Sequence, residues 1–207
     1  IYGCNFGEGE SGQEAATLLA KLTGTDVAAS VDDTGSAQYE ANWDLEYQTG
    51  IIETQVAVSA EAQKNWVGKL AIITVDTFAD VVNGGDGVTS LREAIIAANA
   101  GAGGDTINLA AGTYTMSIAG TGENAATTGD LDILKDVTIS GAGAGSTIIN
   151  AGGIDRVFET RSSTIATISG VTIQGGNSSG GGGINIANGT DLTLSNVIVS
   201  GNTSTTT

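Results

Sequence analysis

Apolar residues in the middle of the chain recur at the spacing of an α-helix, with one face formed by Leu91, Ala94, Ile95 and Ala98. Ser90 and Glu93 have the spacing of a capping box, in which a hydroxyl and a carboxylate satisfy backbone N–H groups of the first turn. Gly101 follows the last helical position and predicts the end of the helix. Because so short a helix is marginal alone, we expect its apolar face to pack against another element.

Downstream of this helix the pattern changes to strands in which apolar and polar residues alternate. The segment VTIQGG at Val171 recurs as VIVSGN at Val197, an offset of 26 residues, and Ile168 recurs as Leu194. A further copy, VTISGA at Val137, lies 34 residues before the first. Repeats of this length cannot bury their own apolar sides, so they predict stacked coils of a solenoid. The predicted fold class is mainly β, a right-handed parallel β-helix, and the Leu91 helix is the expected lid on its first coil.

The first 53 residues follow a different pattern, that of a small α/β piece. Ile1 to Phe6 predicts a short strand, and Ser11 with Glu14 repeats the capping-box spacing at the start of a helix that stops at Gly24. The predicted apolar stripe of that helix comprises Ala15, Ala16, Leu18, Leu19 and Leu22.

Two more strands complete this α/β piece. Val27 to Ser30 predicts a strand parallel to the first, and the alternation of Trp43, Leu45 and Tyr47 with polar residues predicts a third. Since three strands and one helix leave one sheet face uncovered, the piece is predicted to be incomplete by itself.

The patterns divide the chain into three stretches. Residues 1–53 form the α/β piece, residues 54–71 are predicted to be a linker or docking segment, and residues 72–207 form the capped β-helix. The middle stretch contains apolar residues such as Trp66, and a strand that joins the β-helix is the alternative there. The start at Ile1 without Met predicts a segment or processed product of a longer chain.

The charge of the chain narrows its partners. With 23 acidic and 7 basic residues the net charge is −16, which argues against nucleic acid and against anionic membrane surfaces. No apolar run has the length of a membrane span, so no membrane insertion is predicted. A single cysteine excludes an internal disulfide, and 32 glycines with no proline suit tightly stacked coils.

The region from Ile72 to the C-terminus resembles the CSLREA-type module that opens pectate-lyase-like β-helices in very large bacterial surface adhesins. The resemblance rests on VTSLREAIIAANAGAGGDTINLAAGTYTM, TGDLDI, VTISGAGAGSTII, DRVFE and GVTIQGG. Thr89 stands where that family often has a cysteine, which removes a thiol role at this position. The resemblance implies an extracellular, cell-surface protein.

The first residues resemble the C-terminal end of an uncharacterised caspase-like domain of the same giant proteins, on the segments IYGCN, GQEAATLLAKLTGTDVAASVDDTG and WDLEYQTG. In that family a Ser-His-Gly and a Tyr-Gly-Cys segment occupy the positions of a cysteine-protease dyad. Cys4 matches the cysteine, but the chain contains no histidine to lower the pKa of its thiol. The alternatives are an inert Cys4 and a catalytic remnant that once cleaved a longer precursor before Ile1.

Polysaccharide lyases also use the β-helix, with a basic side chain as the base and carboxylates that hold Ca²⁺. The ingredients for such a site are Asp130, Asp132, Asp155, Arg156 and Arg161. The structural alternative for Asp130 and Asp132 is that they cap turns and face solvent. No catalytic, cofactor or metal residue is therefore predicted, and Ca²⁺ remains the alternative ligand.

Three other motifs have structural and functional interpretations. Gly180 to Gly183 lacks the lysine of a phosphate-binding loop and predicts a turn between coils. The run from Asn83 to Gly87 resembles one calcium-binding turn without its repeat. Glycan acceptor triplets occur at Asn177, Asn188 and Asn202.

Three functions are consistent with these patterns. The leading hypothesis is a non-enzymatic extracellular module, a rigid β-helical rod of a bacterial adhesin or matrix protein whose partners are neighbouring domains or copies of itself. The second is a subunit of an extracellular filament, joined end to end through its β-helix and N-terminal strand. The third is a carbohydrate-binding or lyase-like β-helix that contacts surface carbohydrate.

Overall fold

The computed structural model describes residues 1, 5–53, 58–66, 68, 70–161 and 163–205, and of Tyr39 only the backbone. The chain divides into two compact units, Ile1–Ile72 and Ile73–Thr207. None of the helices among the described residues combines the length and the apolar character that crossing a membrane requires.

The first unit contains short helices and strands. In chain order they are α1 (Gly9–Thr23), β1 (Ala28–Ala29), a 3₁₀ turn (Ala37–Tyr39), β2 (Tyr47–Gln48) and α2 (Ala60–Asn65). β1 and β2 pair antiparallel. The Ile1 amino group donates to the Ala28 carbonyl and the Ser30 N–H to the Ile1 carbonyl, which is the pattern of a parallel pair. The predicted parallel pairing of the first two strands is thus present at Ile1.

Several predictions for this unit were wrong in detail. The first strand does not reach Phe6, because residues 5–7 form a turn. Helix α1 begins at Gly9 without a side-chain cap, so Ser11 lies inside it. Gly12 lies directly against the Phe6 carbonyl, and this close approach carries the helix back to the turn. The helix ends at Gly24 in the left-handed conformation, as the sequence predicted.

The predicted apolar stripe of α1 is mostly open to solvent in this unit. Of its five residues only Ala16 is buried, while Leu22 is 74% exposed. The predicted third strand is also shorter than expected and comprises only β2. The region predicted to be a linker holds α2, which begins after the Ser59 cap.

The second unit is built from one helix and many short strands. They are β3 (Ile72–Val75), α3 (Leu91–Ala100), β4 (Asp105–Leu109), β5 (Gly112–Thr115), β6 (Leu131–Ile133), β7 (Val137–Gly141), β8 (Thr147–Asn150), β9 (Phe158–Thr160), β10 (Ile165–Ser169), β11 (Thr172–Gln174), β12 (Asn177–Ser178), β13 (Ile184–Asn185), β14 (Asp191–Ser195), β15 (Ile198–Val199) and β16 (Thr203–Ser204).

These strands form a parallel β-solenoid of about four coils. Sheet A has the order β14-β10-β7-β4-β3, sheet B the order β15-β11-β8-β5, and sheet C the order β13-β9-β6. β12 and β16 pair beside them. Every printed pairing between coils is parallel, so each coil lies in register on the next. The predicted fold class is confirmed.

The register of the repeats agrees with one predicted offset and contradicts the other. Ile168 pairs with Leu194, which confirms the offset of 26 residues. The copy at Val137, however, stacks on Ala166 and not on Val171. Each coil contains two consecutive strands with similar sequences, and VTISG at Val137 matches ATISG at Ala166, the strand before the one predicted.

The inward positions of the strands and helix α3 share one core. At its centre Ile107, Ile139, Ile149, Ile168 and Ile173 are fully buried. The predicted apolar face of α3 is also buried in it, at Leu91, Ala94, Ile95 and Ala98. The Ser90 and Glu93 capping box is present in full. The predicted lid therefore lies where the sequence placed it.

Polar side chains of α3 bind the strands and loops of the first coil. Asn99 Nδ2 donates to the Asp132 carbonyl at 2.8 Å, and the Leu134 N–H donates to Asn99 Oδ1 at 2.9 Å. Because β6 is the edge strand of sheet C, this amide takes the position of a further strand.

Arg92 is the other polar anchor of α3 and is fully buried. Its guanidinium donates to both carboxylate oxygens of Asp80, at 2.6 and 3.2 Å. It also donates to the carbonyls of Ala126, Gly129 and Asp130 at 2.9, 2.9 and 3.3 Å. All five N–H groups of the arginine thus have partners, and the loop that leads into β6 is fixed to the helix.

Candidate functional site

The outer face of sheet C brings together the residues from which a lyase-type site was considered. Asp132, Glu159 and Asn185 occupy one column across β6, β9 and β13. Successive side chains of a strand point to opposite faces, so Leu131 and Phe158 point inward while these three polar residues point outward. Two carboxylates on adjacent coils would repel each other unless a positive charge lay between them.

Two arginines provide that positive charge. Arg156 Nη1 lies 3.2 Å from Asp130 Oδ2 and 2.6 Å from Glu159 Oε2. Arg161 Nη2 lies 3.3 Å from Asp132 Oδ1, and its Nη1 lies 3.5 Å from Glu159 Oε1. The ion pairs therefore run between the first and second coils, with Glu159 as their common acceptor.

Neutral donors complete the cluster. The Ala126 N–H donates to Asp132 Oδ2 at 3.1 Å, and Asn185 Nδ2 donates to Glu159 Oε1 at 3.1 Å. Arg156 Nη2 donates to Ser178 Oγ at 2.9 Å, which extends the network to the third coil.

The two aspartates of β6 and its preceding loop do not face solvent, contrary to the structural alternative considered from sequence. Asp130 is 2% and Asp132 0% exposed. The loop fixed by Arg92 lies over them, as the bond from the Ala126 N–H to Asp132 shows. The alternation of residues predicted their outward direction correctly but could not predict the cover.

Burial and crowding change the titration of these carboxyls. Desolvation raises the pKa of Asp130 to about 7, and the neighbouring charges of Asp132, Asp155 and Glu159 raise it further against the opposing effect of Arg156. Desolvation also raises the pKa of Asp132, opposed by the Ala126 N–H and by Arg161. The cluster therefore binds a proton in the neutral range more readily than isolated carboxyls would.

A divalent cation would find three carboxylates at a suitable spacing here. Oxygens of Asp130, Asp132 and Glu159 lie within 4.8 Å of one another, and carboxylate oxygens are the ligands that Ca²⁺ prefers. Each of these carboxylates already contacts a guanidinium. A cation would thus have to displace Arg156 and Arg161 from their acceptors.

The same contacts limit what the site can do chemically. A lyase base must reach a substrate proton, whereas the terminal nitrogens of both arginines are directed at carboxylates and at Ser178. Asp155, the remaining ingredient, is buried and accepts a bond from the Arg156 N–H. In this arrangement the cluster joins coils, because each ion pair crosses from one coil to another.

The other sequence motifs have ordinary structural positions where they are described. Residues 179–183 form the connection between β12 and β13, in which Gly182 lies against the Thr203 carbonyl of the next coil. In the run from Asn83 to Gly87, the Asp86 carboxylate accepts a bond from the Val88 N–H. Cys4 lies outside the described residues.

The three glycan acceptor triplets differ in access. Asn177 and Asn188 are exposed. Asn202 Nδ2 donates to the Ile173 carbonyl at 2.9 Å, and its Oδ1 accepts from the Gly176 N–H at 2.8 Å. A glycan on Asn202 would require both bonds to break.

Sequence reasoning named no role for Arg92, Asp80, Asn99 or Glu159, although the structure shows them to be central. Asp80 also accepts bonds from the Ser117 and Ile118 N–H groups at 2.7 and 2.9 Å. Desolvation raises the pKa of Asp80, but these bonds and Arg92 outweigh it, and the net pKa is lowered. A usable signal was present: an arginine on the face next to an apolar stripe needs a buried acceptor.

Comparisons with known proteins bear on the first unit. Residues 1–70 match a family described as Domain of unknown function (DUF4347). That family region ends close to the boundary between the two units, and its description assigns no activity. No curated protein and no solved structure match the chain.

Proposed function

We propose that this chain is a non-enzymatic structural module, whose solenoid is a stiff element of a bacterial surface adhesin or matrix protein. The observation that carries the proposal is the in-register stack of four coils around one continuous apolar core. A solenoid in which every coil is bonded to its neighbours along their length resists bending and separation.

The polar contacts support the same role. The ion pairs of Arg156 and Arg161 cross between coils, and those of Arg92 join the first coil to its lid. The extracellular assignment is supported by the resemblance to the CSLREA-type module and by the strongly acidic composition, which favours solubility outside the cell.

Single-molecule pulling on the intact chain, held by handles at its two ends, tests the structural role. We expect the solenoid to unfold in a few cooperative steps at a force well above that of the first unit. Extension of the second unit at low force, without discrete steps, would contradict a load-bearing module. Antibody labelling of intact and permeabilised source cells tests location, and labelling only after permeabilisation would contradict surface display.

A second candidate, the filament subunit, is favoured by one observation. Among the described residues, the last coil exposes Leu194, Ile198 and Val199, which continue the apolar ladder of the core. The first coil is covered by α3 and by β3, so growth through both solenoid ends would require another surface, such as the strand at Ile1.

Negative-stain electron microscopy with light scattering separates the two candidates. Fibres with a regular axial repeat would replace the monomeric module by the filament, and discrete particles at every concentration would exclude it. Ultraviolet assays on uronate polymers with and without Ca²⁺ test the third reading, the lyase. Turnover that disappears in Arg156→Lys would overturn the non-enzymatic assignment.

A further inference from the structure

The outer face of sheet A carries two straight columns of small polar side chains. One column is Thr106, Thr138, Thr167 and Thr193. The other, two residues further along each strand, is Asn108, Ser140, Ser169 and Ser195. Each of the four strands therefore contributes a threonine, an inward apolar residue and a second small polar residue in the same register.

These side chains face solvent and leave their polar atoms largely free. The residues between the columns point into the core, where Ile107, Ile139 and Ile168 are fully buried. Within the described part of the chain, no side-chain hydrogen bond is recorded for any of the four threonines. Ser169 does donate to the Ile139 carbonyl, at 3.4 Å.

The two columns contain no charge, although the chain carries a net charge of −16. The other sheets differ from sheet A in this respect. The outer column of sheet B alternates polar and apolar residues, Thr113, Ile148, Thr172 and Ile198, and sheet C presents the ion-paired carboxylates. Acidic residues reappear only beside the two columns, at Asp136 and Asp191.

The geometry of a parallel sheet fixes the spacing of these groups. Adjacent strands lie about 4.8 Å apart, and residues i and i+2 of one strand lie about 6.7 Å apart. The two columns thus form a rectangular lattice of hydroxyl groups. Both repeats are close to oxygen–oxygen repeats on a prism face of hexagonal ice.

We propose that the outer face of sheet A binds the surface of ice. The charge of the face fits that occupant, because an ice surface is uncharged and offers no counterion to a carboxylate or an ammonium group. Each threonine hydroxyl can bond one lattice water while its methyl group borders a second, and water-mediated bonds of this kind are nearly as favourable as direct ones. Many weak contacts add because the columns are rigid.

Two other occupants fit this face less well. A neutral polysaccharide is usually held by aromatic rings that stack on sugars, and neither column contains an aromatic residue. A second copy of the chain would bring its own acidic margins, at Asp136 and Asp191, against the first. The ice-binding role goes beyond the structural function proposed above and fails independently of it.

Ice-affinity partitioning of the intact chain tests the proposal. The protein is stirred with a slowly growing ice front, and the fraction included in the ice is compared with that of an unrelated acidic protein of similar size. Thermal hysteresis is measured on the same samples. We expect the wild-type chain to enter the ice and to lower the freezing point below the melting point.

Variants locate the surface. Thr138→Tyr and Thr167→Tyr place a bulky ring in the middle of the first column, and tyrosine is tolerated in strands, so we expect unchanged melting curves and loss of most of the ice-bound fraction. Thr113→Tyr makes the same change on the exposed outer face of sheet B and should retain it. Thr167→Ser and Thr167→Val separate the contributions of methyl and hydroxyl groups.

Three results would overturn the proposal. The first is exclusion of the wild-type chain from ice to the same extent as the reference protein. The second is an equal loss in Thr113→Tyr and Thr138→Tyr. The third is retention of the wild-type chain on an insoluble neutral polysaccharide, abolished by Thr138→Tyr, in the absence of any affinity for ice.

Discussion

The two ends of the solenoid differ in how they treat the edges of their strands. At the first coil β3 lies beside β4, Asp80 accepts the N–H groups of Ser117 and Ile118 just after β5, and Asn99 pairs with β6. The last coil has no comparable cover within the described residues.

Exposure of apolar side chains makes the same contrast. In the last coil Leu194, Ile198 and Val199 are 43%, 49% and 50% exposed. In the first coil Ile107 and Ile133, at corresponding inward positions, are fully buried. An open solenoid end leaves strand edges and apolar surface in water, so the covered end shows what is needed to stop the repeat. One helix with two polar side chains and one short strand is sufficient.

The largest expected effect comes from placing charge under the lid. Leu91→Asp with Ile95→Asp buries two carboxylates without partners, and we expect a loss of more than about 5 kcal/mol and unfolding of the second unit. Circular dichroism during thermal denaturation measures it. An unchanged melting curve would show that α3 does not close the first coil.

Removal of the Arg92 guanidinium is the next largest perturbation. Arg92→Met keeps the volume but leaves Asp80 buried without its charged partner, along with three loop carbonyls, and we expect a loss of about 3–5 kcal/mol in the free energy of unfolding. Lys135→Met removes a charge from an exposed position of the same unit and is the control. Equal losses in the two variants would contradict the anchoring role of Arg92.

Titration of Asp130 adds a pH dependence near the covered end. Its pKa is raised from 3.8 to about 7 on folding, so the folded state holds the proton more tightly and stability falls as the pH rises through this range. We expect the chain to gain stability, on the order of a few kcal/mol, when the pH is lowered from about 8 to 5. The lowered pKa of Asp80 acts only below this window.

Asp130→Asn should remove most of this dependence, since Asp132, with a raised pKa of the same direction, remains. Asp191→Asn, in the exposed last coil, is the matched control and should keep the wild-type profile. Denaturant unfolding at several pH values measures the profiles. A profile of Asp130→Asn identical to wild type would show that the pH dependence arises elsewhere.

Asn99 contributes less, because its bonds are neutral. Asn99→Ala leaves the Asp132 carbonyl and the Leu134 N–H without partners, and we expect a loss of about 1–3 kcal/mol. Hydrogen exchange at the Leu134 amide should accelerate more than exchange at the central Ile139 amide. Asn188→Ala, in an exposed loop, provides the reference for an asparagine without an edge strand to cover.

The covered end also shows what the sequence could and could not predict. The start of α3 and its apolar face were predicted because capping and helical period are local signals. The partners of Arg92 come from a loop 34 to 38 residues away, and no local pattern identifies them. For the same reason the burial of Asp132 was missed, since its outward direction follows from alternation but its cover follows from the tertiary fold.

Register was the other point at which local similarity misled. VTISG at Val137 resembles both strands of the next coil, and only the length of the connecting loop decides between Ala166 and Val171. The Ser11 and Glu14 spacing similarly matched a capping box that did not form, because α1 continues back to Gly9 against the preceding turn.

The smallest expected effect on stability is at the open end. Leu194→Asp with Val199→Asp changes two exposed side chains, so we expect the free energy of unfolding to change by about 0.5 kcal/mol or less per site, in contrast to the paired aspartates under the lid. If the open end mediates self-association, these charges should abolish it, because two copies would bring four carboxylates together. Analytical ultracentrifugation of wild type and variant measures this. A large loss of stability in the variant would show that the last coil is packed as firmly as the first and that the contrast between the ends is wrong.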